Sequence, residues 1–183
     1  VPLFGFVGRL SHQKGLDFLF KEMDRLMKLD IQIVFLGVGE EKYCKFLEGA
    51  SRRHPQKIAA LLEFDETTAH RIYAGCDIFL MPSLYEPCGL SQMISLRYGA
   101  IPLVHKTGGL ADTIVDFASK DGNGFVFEEY SEHELMEAIQ KALKTFHNRP
   151  IFSKLVKKSM TYDFSWEKSA GEYKKMYGGL VLG

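Results

Sequence analysis

The sequence predicts an α/β fold: a doubly wound, Rossmann-like parallel sheet of about six strands, with helices on both faces and extra C-terminal helices. Strand-like apolar runs alternate with segments of helical period as far as Phe146, which is typical of right-handed β-α-β units. Several of these runs are apolar at successive positions, as expected when helices cover both faces of a sheet. After Phe146 the pattern changes to two helices with no strand between them.

The individual elements follow from composition and period. The strand-like runs are rich in β-branched and aromatic residues: Leu3–Val7, Ile31–Leu36, Ile58–Phe64, Asp77–Met81, Ile101–His105 and the short Gly124–Phe127. The helix-like segments carry apolar residues at helical spacing: Gly15–Lys28, Glu40–Arg53, Thr67–Ala74, Leu90–Tyr98, Leu110–Phe117 and Glu132–Phe146. The two C-terminal helices are expected within residues 148–160 and 165–180, and Ser165 suits the N-cap of the second.

Length and composition limit the functional classes. The 183 residues suit one domain, 1–183, and because the chain opens directly on a strand we expect it to be part of a longer protein. Lys+Arg and Asp+Glu are both 23, so the net charge is zero, which argues against nucleic acid as the main partner. The three cysteines show no CxxC spacing, which fits a reducing compartment. No apolar run of membrane length and no signal peptide is present.

The loop after the first predicted strand, Gly8–Gly15, carries two cations. Arg9 and Lys14 would lie at the carboxyl edge of the sheet, where ligands of such folds bind. Arg can bind two oxygens at once and Lys acts as a point charge, so the pair suits a diphosphate. The alternative is a solvated turn with two surface cations. The loop is not a Walker A motif, because GxxxxGK[ST] is absent.

The loop after the fourth predicted strand places a carboxylate just before a helix start. Pro87 restricts Glu86 to extended conformations, and Gly89 allows close approach of the backbone to a ligand. The N–H groups of Leu90 and Ser91 at the helix start would attract phosphate. Because like charges repel, Glu86 is expected to meet hydroxyls or a developing positive charge. The alternative is that Glu86 only stabilises the helix dipole, worth about 0.3–1 kcal/mol.

The loop after the fifth predicted strand, His105–Thr113, contains the glycine pair Gly108–Gly109. Paired glycines permit tight packing beside a ligand or beside a neighbouring loop. Thr107 and Gly108 are candidate donor-binding residues here, and Lys106 could add a further cation. A plain βα turn is the alternative.

Other reactive residues favour simpler roles. The six histidines show no HxH or HExxH spacing, so no metal site is predicted. Cys88 is expected to line a pocket rather than to act as a nucleophile, because no histidine partner is evident. Trp166 and nearby aromatic residues such as Tyr173 are expected to pack in the core or between helices.

Four motifs in the same order carry a family resemblance: VGRLSHQKG, YEPCGLSQ followed by RYGAIPLV, KTGGLADTIVD and FSWEKSAGEY. Together they resemble the C-terminal half of bacterial glycogen synthases and plant starch synthases, over nearly the whole chain. The resemblance implies the nucleotide-sugar half of a GT-B glycosyltransferase, with the N-terminal acceptor half absent. It implies retaining transfer of glucose from ADP-glucose to the non-reducing end of an α-1,4-glucan, without a metal or other cofactor. The implied compartment is the bacterial cytoplasm, or the plastid in a plant.

The resemblance also implies roles for individual residues. Arg9 and Lys14 match the pair that binds the donor diphosphate, and Glu86 matches the essential glutamate beside the donor glucose. Cys88 and Gly89 would line the glucose pocket, Leu90 and Ser91 would bring backbone to the phosphate, and Phe64 would stack on adenine at the end of the third strand. The complete set of candidate donor-binding residues is Gly8, Phe64, Cys88, Gly89, Leu90, Ser91, Thr107 and Gly108.

Ile94 is a departure that separates the chain from other GT-B enzymes. Many of those enzymes place a second glutamate eight residues after the first, and Ile94 stands there in this sequence, in agreement with the glycogen and starch synthase branch. Three rival functions remain open: a related transferase that uses a UDP- or GDP-sugar, a non-catalytic nucleotide- or sugar-binding module, and a flavodoxin-like domain. The sequence argues against a flavodoxin-like domain, because it has no acidic cluster after the first strand and no flavin signature.

Overall fold

The computed structural model describes residues 1–181, which form six strands and nine helices. The strands are β1 (Leu3–Val7), β2 (Gln32–Leu36), β3 (Ile58–Leu61), β4 (Ile78–Met81), β5 (Ile101–His105) and β6 (Phe125–Phe127). The helices are α1 (Leu16–Lys21), α2 (Met23–Leu26), α3 (Glu41–Arg53), α4 (Glu66–Gly75), α5 (Ser91–Tyr98), α6 (Gly108–Thr113), α7 (Glu132–His147), α8 (Arg149–Ser159) and α9 (Trp166–Val181), and a 3₁₀ turn covers His12–Lys14.

The strands form one parallel sheet in the order β3-β2-β1-β4-β5-β6. Phe4 of β1 pairs with Ile33 of β2 on one side and with Ile78 of β4 on the other. The strand order reverses direction between β1 and β4. In open α/β sheets this reversal leaves a crevice at the carboxyl ends of the two strands, where ligands bind.

Alternate residues of each strand enter two separate hydrophobic cores. In β1, Phe4 and Phe6 contribute to the core that α1, α2, α3, α7 and α8 cover, while Leu3 and Val7 pack with the core under α4, α5 and α6. Helices therefore cover both faces of the sheet. The predicted doubly wound α/β architecture with about six parallel strands is confirmed.

Several element boundaries differ from the prediction. The third strand ends at Leu61, so Phe64 lies in the following loop, where Asp65 caps α4 by accepting the Thr68 N–H at 2.8 Å. The segment predicted at Gly15–Lys28 is divided into α1 and α2 at Glu22, whose φ of −92° and ψ of 2° leave helical geometry, and the 3₁₀ turn precedes it. The segment predicted at Leu110–Phe117 is helical over Gly108–Thr113 instead.

The two C-terminal helices, which the sequence predicted, differ in burial. Helix α8 packs on α7 and buries Phe152 and Leu155. The expectation that Trp166 and Tyr173 pack in the core or between helices is wrong: they are 86% and 60% exposed on α9, because no element of residues 1–181 covers that face of the helix. Within the same residues, no helix combines the length and the apolar character needed to cross a membrane.

Candidate active site

The loops after β1 and β4 are joined at the switch point of the sheet. The Leu84 N–H donates to the Gln13 carbonyl oxygen at 3.0 Å. Gly15, with a φ of +74°, lies so close to the second loop that a Cβ there would come within 1.9 Å of the Pro82 carbonyl oxygen. A glycine is therefore required where the first loop turns into α1. The close contact brings Lys14 of one loop to the carboxylate of the other.

Lys14 and Glu86 meet directly in this crevice. The Lys14 Nζ lies 2.6 Å from Glu86 Oε2, although the two residues are 72 positions apart in the chain. Glu86 is only 6% exposed, and the Ser83 hydroxyl donates to the same Oε2 at 3.0 Å. Among the described residues no donor is bonded to Oε1. One carboxylate oxygen is thus held by the protein and the other is available to a ligand.

The loop after β5 contacts the backbone of the Glu86 loop through its glycine pair, Gly108 and Gly109. The Gly109 N–H donates to the Glu86 carbonyl oxygen at 2.9 Å. A Cβ at Gly108 would lie 2.1 Å from that same oxygen, and a Cβ at Gly109 would lie 1.8 Å from the Cys88 carbonyl oxygen. Of the predicted alternatives for this pair, the structure therefore shows packing against a neighbouring loop. Thr107, half-buried, precedes α6 as its N-cap residue.

The start of α5 offers backbone N–H groups beside Glu86. No side chain of residues 1–181 caps this helix, and Leu90 in front of it is 64% exposed. The Ser91 hydroxyl accepts a hydrogen bond from the Tyr73 hydroxyl at 3.1 Å. The buried Gln92 amide donates to the carbonyl oxygens of Cys88 and Gly89, at 3.1 and 2.9 Å, and so fixes the turn that enters the helix. Uncapped N–H groups at a helix start are suited to bind an anion.

Arg9 lies at the same edge of the sheet and is exposed. Its Nη2 donates to Gln13 Oε1 at 3.3 Å, and Gln13 Nε2 donates to the Tyr85 carbonyl oxygen at 3.0 Å. Gln13 therefore connects Arg9 to the loop that carries Glu86. Gly8 follows β1, and its N–H donates to the Leu36 carbonyl oxygen at 3.0 Å, which connects the loop to β2.

Two other predicted residues are not brought to Glu86 by a described contact. Phe64 is 88% exposed in the loop after β3, which is the edge strand and lies two positions from β1 in the sheet. Lys106 is bonded to Glu128 at 2.5 Å, so its charge is already paired.

An ion-pair cluster around Asp17 contacts the loop after β1 through His12. Asp17 of α1 accepts hydrogen bonds from the Tyr43 hydroxyl at 2.5 Å and from His12 Nδ1 at 2.7 Å, and Lys42 Nζ lies 3.5 Å away. The Tyr43 hydrogen bond, more than any other contact, lowers the pKa of Asp17 below its usual value. The cluster fixes His12 between Arg9 and Lys14.

Sequence reasoning missed the polar residues that support the site. Ser83, Gln92 and His105 are buried, and each hydrogen-bonds within or next to the Glu86 loop. For His105 and Ser83 a signal was available, since a polar residue that closes or follows an apolar strand run is placed at the ligand edge of a parallel sheet. For Gln92 no such signal exists, because an exposed glutamine in a helix would read the same way.

The loops at this edge of the sheet combine two kinds of electrostatic chemistry. Arg9, Lys14 and the α5 amides supply positive charge, while Glu86 supplies one shielded negative charge. Such a site can stabilise a departing phosphate while it orients a polyhydroxylated group that becomes positive.

Comparison with known proteins shows the family to which the chain belongs. Residues 1–158 match the family model described as glycosyl transferases group 1. The chain therefore belongs to the glycosyl transferases group 1 family.

The resemblance to glycogen and starch synthases is also confirmed. A glycogen synthase of Fervidobacterium nodosum is 49% identical over 179 residues, which are 97% of this chain and 37% of that protein. A glycogen synthase of Bacillus cereus is 44% identical over 182 residues, 98% of this chain and 38% of that protein. The chain thus spans little more than a third of the length of these curated relatives.

Solved structures show the same fold. The catalytic domain of starch synthase IV from Arabidopsis thaliana, bound to ADP and acarbose, is 36% identical, has a TM-score of 0.89, and matches all of this chain over 39% of its own length. Sucrose-phosphate synthase from Thermosynechococcus elongatus has a TM-score of 0.73 over 99% of this chain and 46% of its own. At 21% identity it supports the fold alone.

Proposed function

We propose that this chain is the donor-binding domain of a longer glucosyltransferase that makes glycogen or starch. In this proposal, ADP-glucose binds in the crevice between β1 and β4. Glucose then passes, with retention of configuration, to the non-reducing end of an α-1,4-glucan held by an N-terminal acceptor domain. The observation that carries the proposal is the Lys14–Glu86 contact of 2.6 Å at the switch point. The ADP and acarbose bound to the related starch synthase support the choice of ligands.

The positive groups would stabilise the leaving ADP. Glucose transfer develops oxocarbenium character at the anomeric carbon and negative charge on the diphosphate. Arg9 can bind two phosphate oxygens at once, and Leu90 and Ser91 would contribute N–H groups. These groups would provide the neutralisation without a bound metal or other cofactor.

Lys14 would link the diphosphate of the donor to Glu86, the residue that meets its hexose. An ammonium group has three N–H donors, so Lys14 can keep its bond to Glu86 Oε2 and still donate to a phosphate oxygen. Glu86 Oε1 would then accept from a hexose hydroxyl, and its charge would favour the cationic sugar. Cys88 and Gly89 would line the hexose pocket.

The adenine contact and the cellular compartment are further parts of the proposal. Phe64 offers an exposed aromatic face on which a base could stack, and Gly8, Thr107 and Gly108 would line the donor path. The described cysteines are free, which supports a cytoplasmic enzyme in a bacterium, or a plastid enzyme in a plant.

Calorimetry with this chain tests the donor. ADP should bind more tightly than UDP or GDP, and equal affinity for the three would favour a transferase that uses another nucleotide-sugar. An assay of glucose transfer from ADP-glucose to glycogen, in a full-length synthase that contains this chain, tests the reaction. Nucleotide binding without transfer would favour a non-catalytic binding module.

A further inference from the structure

The buried side chain of His105 lies behind the loop that carries Glu86. His105 is the last residue of β5, is 8% exposed, and places Nδ1 2.8 Å from the Ser83 carbonyl oxygen. Because a carbonyl oxygen only accepts hydrogen bonds, Nδ1 must carry the proton. The direction of this bond is therefore fixed by chemistry.

Two aromatic rings hold the imidazole in place. The ring centroid of His105 lies 5.3 Å from that of Phe127 and 5.0 Å from that of Tyr130. Tyr130 also borders the first loop, since a Cβ at Gly15 would come within 3.2 Å of its hydroxyl. The imidazole therefore packs between Phe127 of β6 and Tyr130, close to the contact between the loops after β1 and β4.

Ser83 connects His105 to the carboxylate of Glu86 by two hydrogen bonds. Ser83 accepts from His105 through its carbonyl oxygen and donates from its hydroxyl to Glu86 Oε2 at 3.0 Å. The Gly109 N–H holds the Glu86 carbonyl oxygen at 2.9 Å. The backbone of the Glu86 loop is therefore fixed at both Ser83 and Glu86 by residues of the β5–α6 segment.

We propose that His105 is a positioning residue for Glu86, which acts through the Ser83 carbonyl to fix where the free carboxylate oxygen meets the hexose. This inference rests on the proposed function. The rest of β5 is apolar, Ile101, Pro102, Leu103 and Val104, so a purely packing role at its end would be met by leucine. Burying an imidazole is unfavourable unless it is hydrogen-bonded, and the bond it makes here points to the catalytic loop.

Three substitutions in a full-length synthase that contains this chain test the role. In His105→Asn the amide Nδ2 replaces Nδ1 at the same distance from the backbone, whereas in His105→Gln the amide is one bond further away. His105→Leu removes the donor. We expect Leu and Gln to lower kcat about 10- to 100-fold, the range associated with displacement of a catalytic group. Asn should restore kcat to within about threefold of the unmodified enzyme, because the donor returns to its place.

Binding should be much less affected than turnover. Arg9, Lys14 and the α5 amides do not contact His105, so the Kd of ADP and the KM of ADP-glucose should stay within about threefold in all three variants. If kcat of the Leu and Gln variants stays within twofold, or if Asn loses as much as Gln, the positioning role is wrong. Loss of ADP affinity in step with kcat would equally overturn it. Should His105→Leu fail to fold, as judged by circular dichroism, the Asn and Gln comparison decides.

The same assay separates this inference from the proposed function. If the unmodified enzyme transfers no glucose from ADP-glucose, or if Glu86→Gln turns over normally, the proposed function fails. If both controls behave as proposed and the His105 series does not, only the positioning role fails.

Discussion

The two sides of the crevice differ in how far the protein itself fixes their charges. Glu86 is 6% exposed and receives hydrogen bonds from Lys14 and Ser83 on one oxygen. Arg9 is exposed and, within residues 1–181, is bonded through its guanidinium to Gln13 at 3.3 Å. In the proposed function, the group that would meet a sugar in one geometry is held rigidly, whereas the group that would bind a diphosphate with several equivalent oxygens retains freedom to adapt. The comparison predicts different consequences for mutations on each side.

Removal of the rigid charge should have the largest effect. In a full-length synthase that contains this chain, Glu86→Gln is expected to lower kcat at saturating ADP-glucose about 100- to 1,000-fold, the usual loss for one preorganised electrostatic group. The Kd of ADP, measured by calorimetry, should stay the same or fall, because a negative charge next to the diphosphate is lost. A collapse of ADP affinity with surviving turnover would place Glu86 in binding rather than in catalysis.

Removal of the adaptable charge should weaken binding instead. Arg9→Ala is expected to raise the Kd of ADP about 10-fold, since a hydrogen bond to a charged group is worth about 1.5–3 kcal/mol before the surroundings adjust. The loss should shrink at high salt, because screening already weakens the contact. Calorimetry at two salt concentrations measures both effects.

Lys106 is the matched control for Arg9. It is also a cation at the carboxyl edge of the sheet, but its ammonium is bonded to Glu128. Lys106→Ala should leave the Kd of ADP within about twofold, as is usual when only an exposed ion pair is lost. Equal losses in the two variants would mean that general positive charge, not the crevice, attracts the nucleotide.

The glycine pair packs against the Glu86 loop, so a substitution there should lower the stability of the protein. Gly109→Ala would place a Cβ 1.8 Å from the Cys88 carbonyl oxygen, so the Glu86 loop must move. We expect a loss of about 1–3 kcal/mol in the free energy of unfolding, typical of overpacking, together with lower kcat. In Gly75→Ala, at the end of α4, the new Cβ meets no atom within 4 Å, and stability should be unchanged or rise by up to about 1 kcal/mol. Urea denaturation of both variants measures the difference, and equal midpoints would contradict the close packing.

The sequence predicted the sheet and the convergence of the loops that carry Lys14 and Glu86 for a physical reason. Parallel strands bring the loops at their carboxyl ends together, so charged residues in the first and fourth loops converge even though 72 positions separate them. The direct ion pair could not be foreseen, because sequence patterns give the loop and not the rotamer. His105 and Ser83 carried a signal in their positions at or after the end of an apolar strand, but the hydrogen bond between them could not be derived from that signal.

Burial of single aromatic residues was harder to predict. Trp166 reads as a core residue by composition, yet it is 86% exposed, because the period of a helix does not say what covers its apolar face. Phe64 was placed at a strand end, but the cap of α4 at Asp65 ends β3 earlier. The first error concerns tertiary context, which local propensity does not contain, whereas the second concerns a helix cap at Asp65 that the apolar pattern alone does not show.

The smallest expected effect concerns the cluster that anchors the adaptable side. The hydrogen bond from the Tyr43 hydroxyl, assisted by His12 and Lys42, lowers the pKa of Asp17 in the folded protein. A carboxyl whose folded pKa lies below its unfolded value of about 3.9 stabilises the protein above that pH, and the contribution is lost as pH falls through the folded pKa. Stability should therefore decline below about pH 4, in part because of Asp17.

Asp17→Asn should remove this share of the acid sensitivity. Because 41% of the Asp17 side chain is exposed, solvent screening keeps the expected loss at pH 7 below about 1 kcal/mol, and the loss should vanish near pH 2. Thermal denaturation from pH 2 to 7 measures both values. Tyr43→Phe removes the hydrogen bond that lowers the pKa of Asp17 most and keeps the carboxylate. Its loss of stability should therefore depend on pH in the same direction as that of Asp17→Asn, but less strongly. If Asp17→Asn destabilised the protein equally at pH 2 and pH 7, the loss would come from packing. The charge of Asp17 would then contribute nothing to the free energy of unfolding.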